Sequence, residues 1–189
     1  MSVWARYYAA SGDEPRDTLL DALAGFGEPG VAVDLGCGNG RDTVALLHNG
    51  WRVLAVDSEP QAIELLRARV GDDPMLETQI ATYDQATWPP ADLVNASFSL
   101  PFCPPAVFDI VWQRVVASLR EGGRFCGQLF GDRDGWAPAD DMTFLPRTRV
   151  EELLEAFELE RFEEIEEDSR TALGEPKHWH VFHVVARKR

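Results

Sequence analysis

Basic side chains are scarce in this chain. Its 18 Lys and Arg face 32 Asp and Glu, leaving a formal net charge of −14. Phosphate backbones are bound through clustered Lys and Arg, so this balance excludes nucleic acid as the expected partner. Between Glu151 and Asp168 ten acids are opposed by Arg161 alone. That run reads as a solvated helix face and the outward side of an edge strand, and Arg187-Lys188-Arg189 is too short to reverse the field. Long apolar runs are missing as well. None approaches the ~20 residues that a bilayer demands, and no signal-peptide pattern opens the chain. No membrane partner is expected, and a reducing cytoplasm is the expected compartment. The three cysteines, Cys37, Cys103 and Cys126, are odd in number and share no spacing, so they offer neither a disulfide framework nor a metal site. His178 and His180 alternate on one face of the last expected strand, with Trp179 and His183 on the other, but no third ligand accompanies them and no metal is expected. Repeats and low-complexity linkers are also lacking. Residues 1–189 are read as a single domain, large enough for a real core and too short for a separate substrate domain.

What is present begins at Val31. The apolar run Val31-Ala32-Val33 reaches Asp34, glycines follow at Gly36, Gly38 and Gly40, and Thr43 to Leu47 opens a helical pattern. Strand, side-chain-poor turn and helix in that order let a ligand approach the backbone closely, with helix-start amides facing a polar group. Trp51 to Asp57 reads as a second buried strand ending in an acid, seventeen residues past Gly40. A carboxylate at that distance suits a ribose diol, because it accepts hydrogen bonds from both hydroxyls. The bland alternative makes Asp57 or Ser58 the N-cap of a helix from Glu59 to Val70.

Nicotinamide-binding turns place their third glycine one residue later. Asp34-Leu35-Gly36-Cys37-Gly38-Asn39-Gly40 instead resembles motif I of the class I S-adenosylmethionine-dependent methyltransferases. The family's second acid falls on Asp57, and a third on Asp84, after the strand Leu76 to Thr82. Ala91 to Ser97 looks like the fourth strand. GCGNGRDT and FGDRDGW are similar to the small bacterial tellurite-resistance and thiopurine-type methyltransferases. The resemblance implies an α/β fold, a Rossmann-like three-layer sandwich. Its seven-stranded, mostly parallel sheet would carry an antiparallel C-terminal strand, with the N-terminal segment 1–28 as a lid. It implies S-adenosylmethionine as cofactor, bound by Asp34, Gly36, Cys37, Gly38, Gly40, Asp57, Ser58, Tyr83, Asp84 and Ser97. In this reading Asp34 and the amides of Gly36 to Gly40 hold the methionine end, Asp57 the ribose, and Asp84 with the Tyr83 ring the adenine. Asp84 reads equally as a turn residue.

Further elements are a helix over Pro15 to Phe26, a helix over Pro104 to Leu119 with a Gly-rich stop at 121–123, and a strand over Arg124 to Phe130. Leu153, Leu154 and Phe157 mark another helix, before strands over Leu159 to Glu166 and His178 to Ala186. Strand three should lie at the sheet edge. Its eight-residue link to strand four reaches ~26 Å across a diagonal of ~22 Å, which leaves no room for a full helix.

Substrate-pocket candidates are Trp4, Tyr8, Phe98, Phe102, Arg133 and Trp136. Trp4 and Tyr8 read equally as core, and Arg133, between Asp132 and Asp134, as a local ion pair. The expected acceptor is a small molecule. Asn95-Ala96-Ser97-Phe98 lacks both prolines of the pattern usual in base-amino methylators. A non-catalytic S-adenosylmethionine-binding module and a nicotinamide-dependent oxidoreductase are the alternatives. No catalytic residue, acceptor atom or oligomeric state is assigned.

Overall fold

The computed structural model describes residues 3–189; Met1 and Ser2 of the expected 1–28 lid lie outside them. The chain runs α1 (Val3–Ala10), α2 (Asp17–Ala24), β1 (Val31–Leu35), α3 (Arg41–His48), β2 (Arg52–Asp57), α4 (Pro60–Val70), β3 (Leu76–Ile80) and β4 (Ala91–Ala96). A 3₁₀ turn (Leu100–Phe102) leads to α5 (Pro105–Ser118), β5 (Leu119–Gly131), β6 (Phe144–Leu145), α6 (Arg147–Leu153), β7 (Phe157–Arg170) and β8 (Pro176–Lys188). The strands form one sheet in the order β3-β2-β1-β4-β5-β8-β7, with β6 paired to β5. β8 is antiparallel to both of its neighbours, and the pairs from β3 through to β5 are parallel. β3 occupies the edge as expected, and no helix separates it from β4.

The alternation of strand side chains decides the layers. Val33, Leu35 and Val94 join Phe108, Trp112 and Val115 of α5 in one core cluster. Ala32, Val53, Leu93 and Cys126 face Leu19 of α2 and Leu46 of α3 in another, while Ala55 meets Ile63 and Leu66 of α4. Helices α2, α3 and α4 therefore cover one face and α5 and α6 the other, a three-layer sandwich. Asp34, Asn95 and Cys126 are paired across β1, β4 and β5, so all three meet the α3 layer.

Four expectations are corrected. The sheet has eight strands, not seven, because Phe144–Leu145 adds a two-residue strand beside Phe130 and Gly131; so short a piece carries no periodicity. Residues 121–123 do not stop a helix ahead of a later strand. β5 starts at Leu119, and the register shift between Ala91 and Leu93 absorbs the glycines as an irregularity, with Gly122 at φ 75°. Phe157 opens β7 rather than closing a helix. The last two strands outrun their expected ends, pairing from Phe157↔Lys188 to Arg170↔Pro176. Their last residues carry polar side chains and lack an apolar alternation. They project past β5, which pairs with β8 only as far as Val181.

Gly40 shows why the turn needs glycine. Its φ is 83°, and a Cβ there would collide with the Leu66 side chain. Gly40→Ala should lower stability by about 2 kcal/mol in urea unfolding, since left-handed backbone alone costs 1–2 kcal/mol for other residues. Adding Leu66→Ala should not restore it.

Candidate active site

The carboxyl ends of β1, β2 and β4 open onto a cavity of about 970 Å³, at the top of the ~300–1,000 Å³ range of small-molecule sites. One wall is the glycine turn, a second the segments after β2 and β3, and a third an aromatic surface.

Beneath the glycine turn lies a buried polar network. Asn95 Nδ2 donates to Asp34 Oδ1 (2.9 Å) and to Asp42 Oδ2 (3.1 Å). Thr43 Oγ1 donates to Asp34 Oδ2 (2.5 Å), and the Arg16 backbone N–H to Asp42 Oδ1 (2.9 Å). Asn95 Oδ1 accepts from Ser97 Oγ (2.9 Å) and Cys126 Sγ (3.2 Å), which fixes the amide orientation. Burial, then the Asp42 charge, push the Asp34 carboxyl up to about 7 against its two donors.

Asp57 ties the second wall together. Its Oδ2 accepts from Gly38 N (2.8 Å) and its Oδ1 from Glu59 N (2.9 Å). It therefore braces the turn and the start of α4 at once. Burial raises its pKa, and the Glu59 and Gly38 amides oppose the rise. Tyr83 donates from its hydroxyl to Ser99 O (2.8 Å), and burial pushes its phenol up.

The third wall joins Trp4 and Tyr8 of α1 to Phe98, Phe102, Phe130, Trp136 and Trp179. Trp4 meets Phe102 edge-on at 4.9 Å, and the Tyr8 carbonyl accepts from Asn39 Nδ2 at 3.2 Å, so α1 lies across the turn. Behind the wall, Lys177 and Asp134 form a fully buried ion pair. Asp134 also accepts from Trp136 N (2.9 Å) and His180 N (3.1 Å). The Lys177 ammonium lies 3.8 Å from the Trp179 ring centroid and 4.3 Å from that of Trp136, a cation–π arrangement that orients both indoles.

Of the cofactor candidates, Asp34, Gly36, Cys37, Gly38, Asp57, Ser58, Tyr83 and Ser97 line the cavity. Gly40 is turned to Leu66 instead. Asp84 is exposed and outside the cavity, accepting from Thr82 Oγ1 at 2.6 Å; it is a turn residue. The turn amides are less available than expected. Gly36 N and Cys37 N donate to Val56 O, Gly38 N to Asp57 and Gly40 N to Cys37 O. Trp4, Tyr8, Phe98, Phe102 and Trp136 line the cavity, but Arg133 does not. Its guanidinium pairs with Glu164 and Glu166 of β7 (3.2 and 2.7 Å), the local ion-pair role. His178 and His180 are held by acids of β7, so the histidine at the cavity is His183. Among the described residues no cluster of metal-ligating side chains occurs, and no helix is long and apolar enough to cross a membrane.

Sequence reasoning missed Arg16, Gln128 and Trp179. Gln128, a buried amide inside an apolar strand, carried a usable signal. Phe98 has φ 50°, and this left-handed backbone is held by Gln128 Oε1 accepting from Phe98 N at 2.9 Å.

A family model described as a methyltransferase domain matches residues 32–123. The chain as a whole carries the Rossmann-like methyltransferase fold. Similar solved structures include TehB from Haemophilus influenzae, with TM-score 0.78 and 18% identity over 92% of this chain and 62% of TehB. NodS, an N-methyltransferase from Bradyrhizobium japonicum solved with S-adenosylhomocysteine, gives 0.71 and 18% over 98% and 96%. The 1,6-didemethyltoxoflavin-N1-methyltransferase of Burkholderia thailandensis, solved with 1,6-didemethyltoxoflavin and S-adenosylhomocysteine, gives 0.69 and 24% over 99% and 81%. At these identities the likeness is one of fold. A ribosomal RNA small subunit methyltransferase C from Alcanivorax borkumensis is 42% identical over 53 residues, 27% of this chain. This chain spans only 16% of that protein and less than two thirds of TehB.

A carboxyl pKa raised on folding gives stability that is whole below the unfolded carboxylate range near ~4 and is lost as pH rises through the folded value. For Asp34 that value is about 7. The stability advantage of wild type over Asp34→Asn in urea should therefore narrow between about pH 4 and about pH 7 and stay level above that. Asp134→Ala strands a buried ammonium and should cost about 3–5 kcal/mol, with a changed near-ultraviolet circular dichroism from Trp136 and Trp179.

Proposed function

We propose that the chain, acting as one domain over residues 1–189, transfers a methyl group from S-adenosylmethionine to a small-molecule acceptor by in-line displacement. The observation that carries this reading is the meeting, around one cavity, of the glycine turn, the Asp57 carboxylate and an aromatic wall. The residues fit the cofactor. The Asp57 oxygens accept from Gly38 N and Glu59 N, and the roughly four lone-pair sites of a carboxylate leave room for a ribose hydroxyl. The cavity is large enough for a nucleoside-containing molecule beside a small acceptor.

S-adenosylmethionine supplies, when bound, a methyl group already activated on a sulfonium, with a neutral thioether as leaving group. The tasks left to the protein are orientation and exclusion of water. In this reading Asp57 and Ser58 take the ribose, Tyr83 flanks the base, and Asp34 faces the amino group across the turn. Cys37, Gly38 and Ser97 line the path between them, while Phe98, Phe102, Trp136, Trp4 and Tyr8 keep the acceptor dry. The net charge of −14 speaks for a small acceptor rather than a polynucleotide.

Calorimetric titration with S-adenosylmethionine, S-adenosylhomocysteine and NADH tests the reading. The first two should bind, and Asp57→Ala should weaken them at least about tenfold, the worth of one charge-assisted hydrogen bond. Asp57→Asn keeps one acceptor and should lose less. Binding of NADH alone would overturn the proposal, and methyl transfer to any acceptor would exclude a binding-only module.

A further inference from the structure

We propose that Arg16 and His183 form a recognition site for a negatively charged group, and that the methyl acceptor is a small planar organic anion. The word acceptor rests on the methyl-transfer reading above; the anion site itself does not.

Arg16 is an unusual cation in this acidic chain. Arg124, Arg133, Arg147, Arg149 and Arg161 each pair with a carboxylate. Arg41 and Arg170, which also line the cavity, donate to the carbonyls of Glu14 and Gly174. The Arg16 guanidinium has neither kind of partner among the described residues. Its backbone is fixed by Asp42, and its guanidinium carbon lies 4.6 Å from the Phe98 ring centroid. Burial and the nearby Arg41 charge disfavour its cationic form, with Asp42 and Asp17 opposing them. A planar fork of donors, stacked on an aromatic ring and open to a cavity, is the arrangement that carboxylates and related oxyanions fill.

His183 adds a second donor. The register of β5 and β8 sets Gln128 opposite His183. Phe98 N–H occupies Gln128 Oε1, so the amide nitrogen must donate to Thr18 Oγ1 (3.1 Å) and to His183 Nδ1 (3.3 Å). Burial keeps this imidazole neutral at physiological pH by lowering its pKa. With Nδ1 accepting, the ring proton is on Nε2. His183 therefore offers a donor and no free acceptor. That is poor for a general base and suited to an anion. The His183 ring centroid is 6.1 Å from that of Phe98, and Trp179 stands 6.3 Å from the same ring. Flat apolar faces beside two donors define the ligand class: a planar ring bearing a carboxylate or similar oxyanion.

The cofactor's own methionine carboxylate is the other source of such a group. Arg16 stacks on the aromatic wall rather than on the glycine turn, which favours the acceptor, and the experiment separates the two. Benzoate and its neutral isostere benzamide are titrated calorimetrically into the full chain, with and without saturating S-adenosylhomocysteine. Wild type should bind benzoate at least about tenfold more tightly than benzamide. Arg16→Gln should erase that preference while leaving S-adenosylhomocysteine affinity within about twofold. Should Arg16→Gln fail to fold, Arg16→Lys decides: charge without the fork should reduce the preference several-fold, and an unchanged preference overturns the proposal. Equal binding of the two probes by wild type, or binding of neither, overturns it. So does a preference that survives in Arg16→Gln alongside weakened S-adenosylhomocysteine binding, which assigns Arg16 to the cofactor carboxylate. If S-adenosylhomocysteine does not bind wild type, the methyl-transfer reading fails, and the two probes in the free protein still decide the anion site.

Discussion

One amide holds two buried carboxylates together, and much of the site hangs from it. Asn95 bridges Asp34 at the end of β1 and Asp42 at the start of α3. Without those donors, two acids would face each other in a dry interior, a costly arrangement. Thr43 and the Arg16 amide complete the shell. The same network thus fixes strand, turn and helix, and pins the segment that delivers the Arg16 side chain to the cavity. Its side-chain donors are neutral, so burial and the Asp42 charge hold the Asp34 carboxyl high.

A second carboxylate works in a different way. Asp57 combines two roles that the sequence had presented as alternatives. It accepts from Gly38 and from Glu59, so it shapes the turn and starts α4, yet it still lines the cavity. A carboxylate has enough lone pairs to brace its own loop and meet a ligand. The aromatic side of the cavity is held by other means. Lys177 and Asp134 are buried behind it, and the ammonium sits among three rings. The strength of that pair comes from isolation from water, and so does its vulnerability to loss of either partner.

Acidity serves the fold as much as it limits partners. The acids of β7 lie on an edge strand, where charge discourages pairing with another sheet. They also collect Arg133 and Arg147 from neighbouring elements and pair with Arg161 of β7 itself. Arg133 is thereby drawn outward, away from the cavity that its place after β5 suggested. Arg16 is not drawn into a comparable pair: Asp42 beside it is engaged by Asn95 and by the Arg16 amide.

The alternation of apolar residues, the spacing of three glycines and the acids closing β1 and β2 determined the parallel strands, the layers and the turn, because these depend on local backbone and on burial of one face. The aromatic segments after Val3 and Asn95 likewise announced the cavity wall. What no local pattern carried was decided by tertiary register. Gln128 meets His183 only because β5 and β8 pair antiparallel, and that contact chooses the imidazole tautomer. Asp84 and Arg133 left the site because Thr82 and the β7 acids lay closer. Polar side chains are assigned by whichever partner three-dimensional proximity supplies, and a linear sequence does not contain those distances.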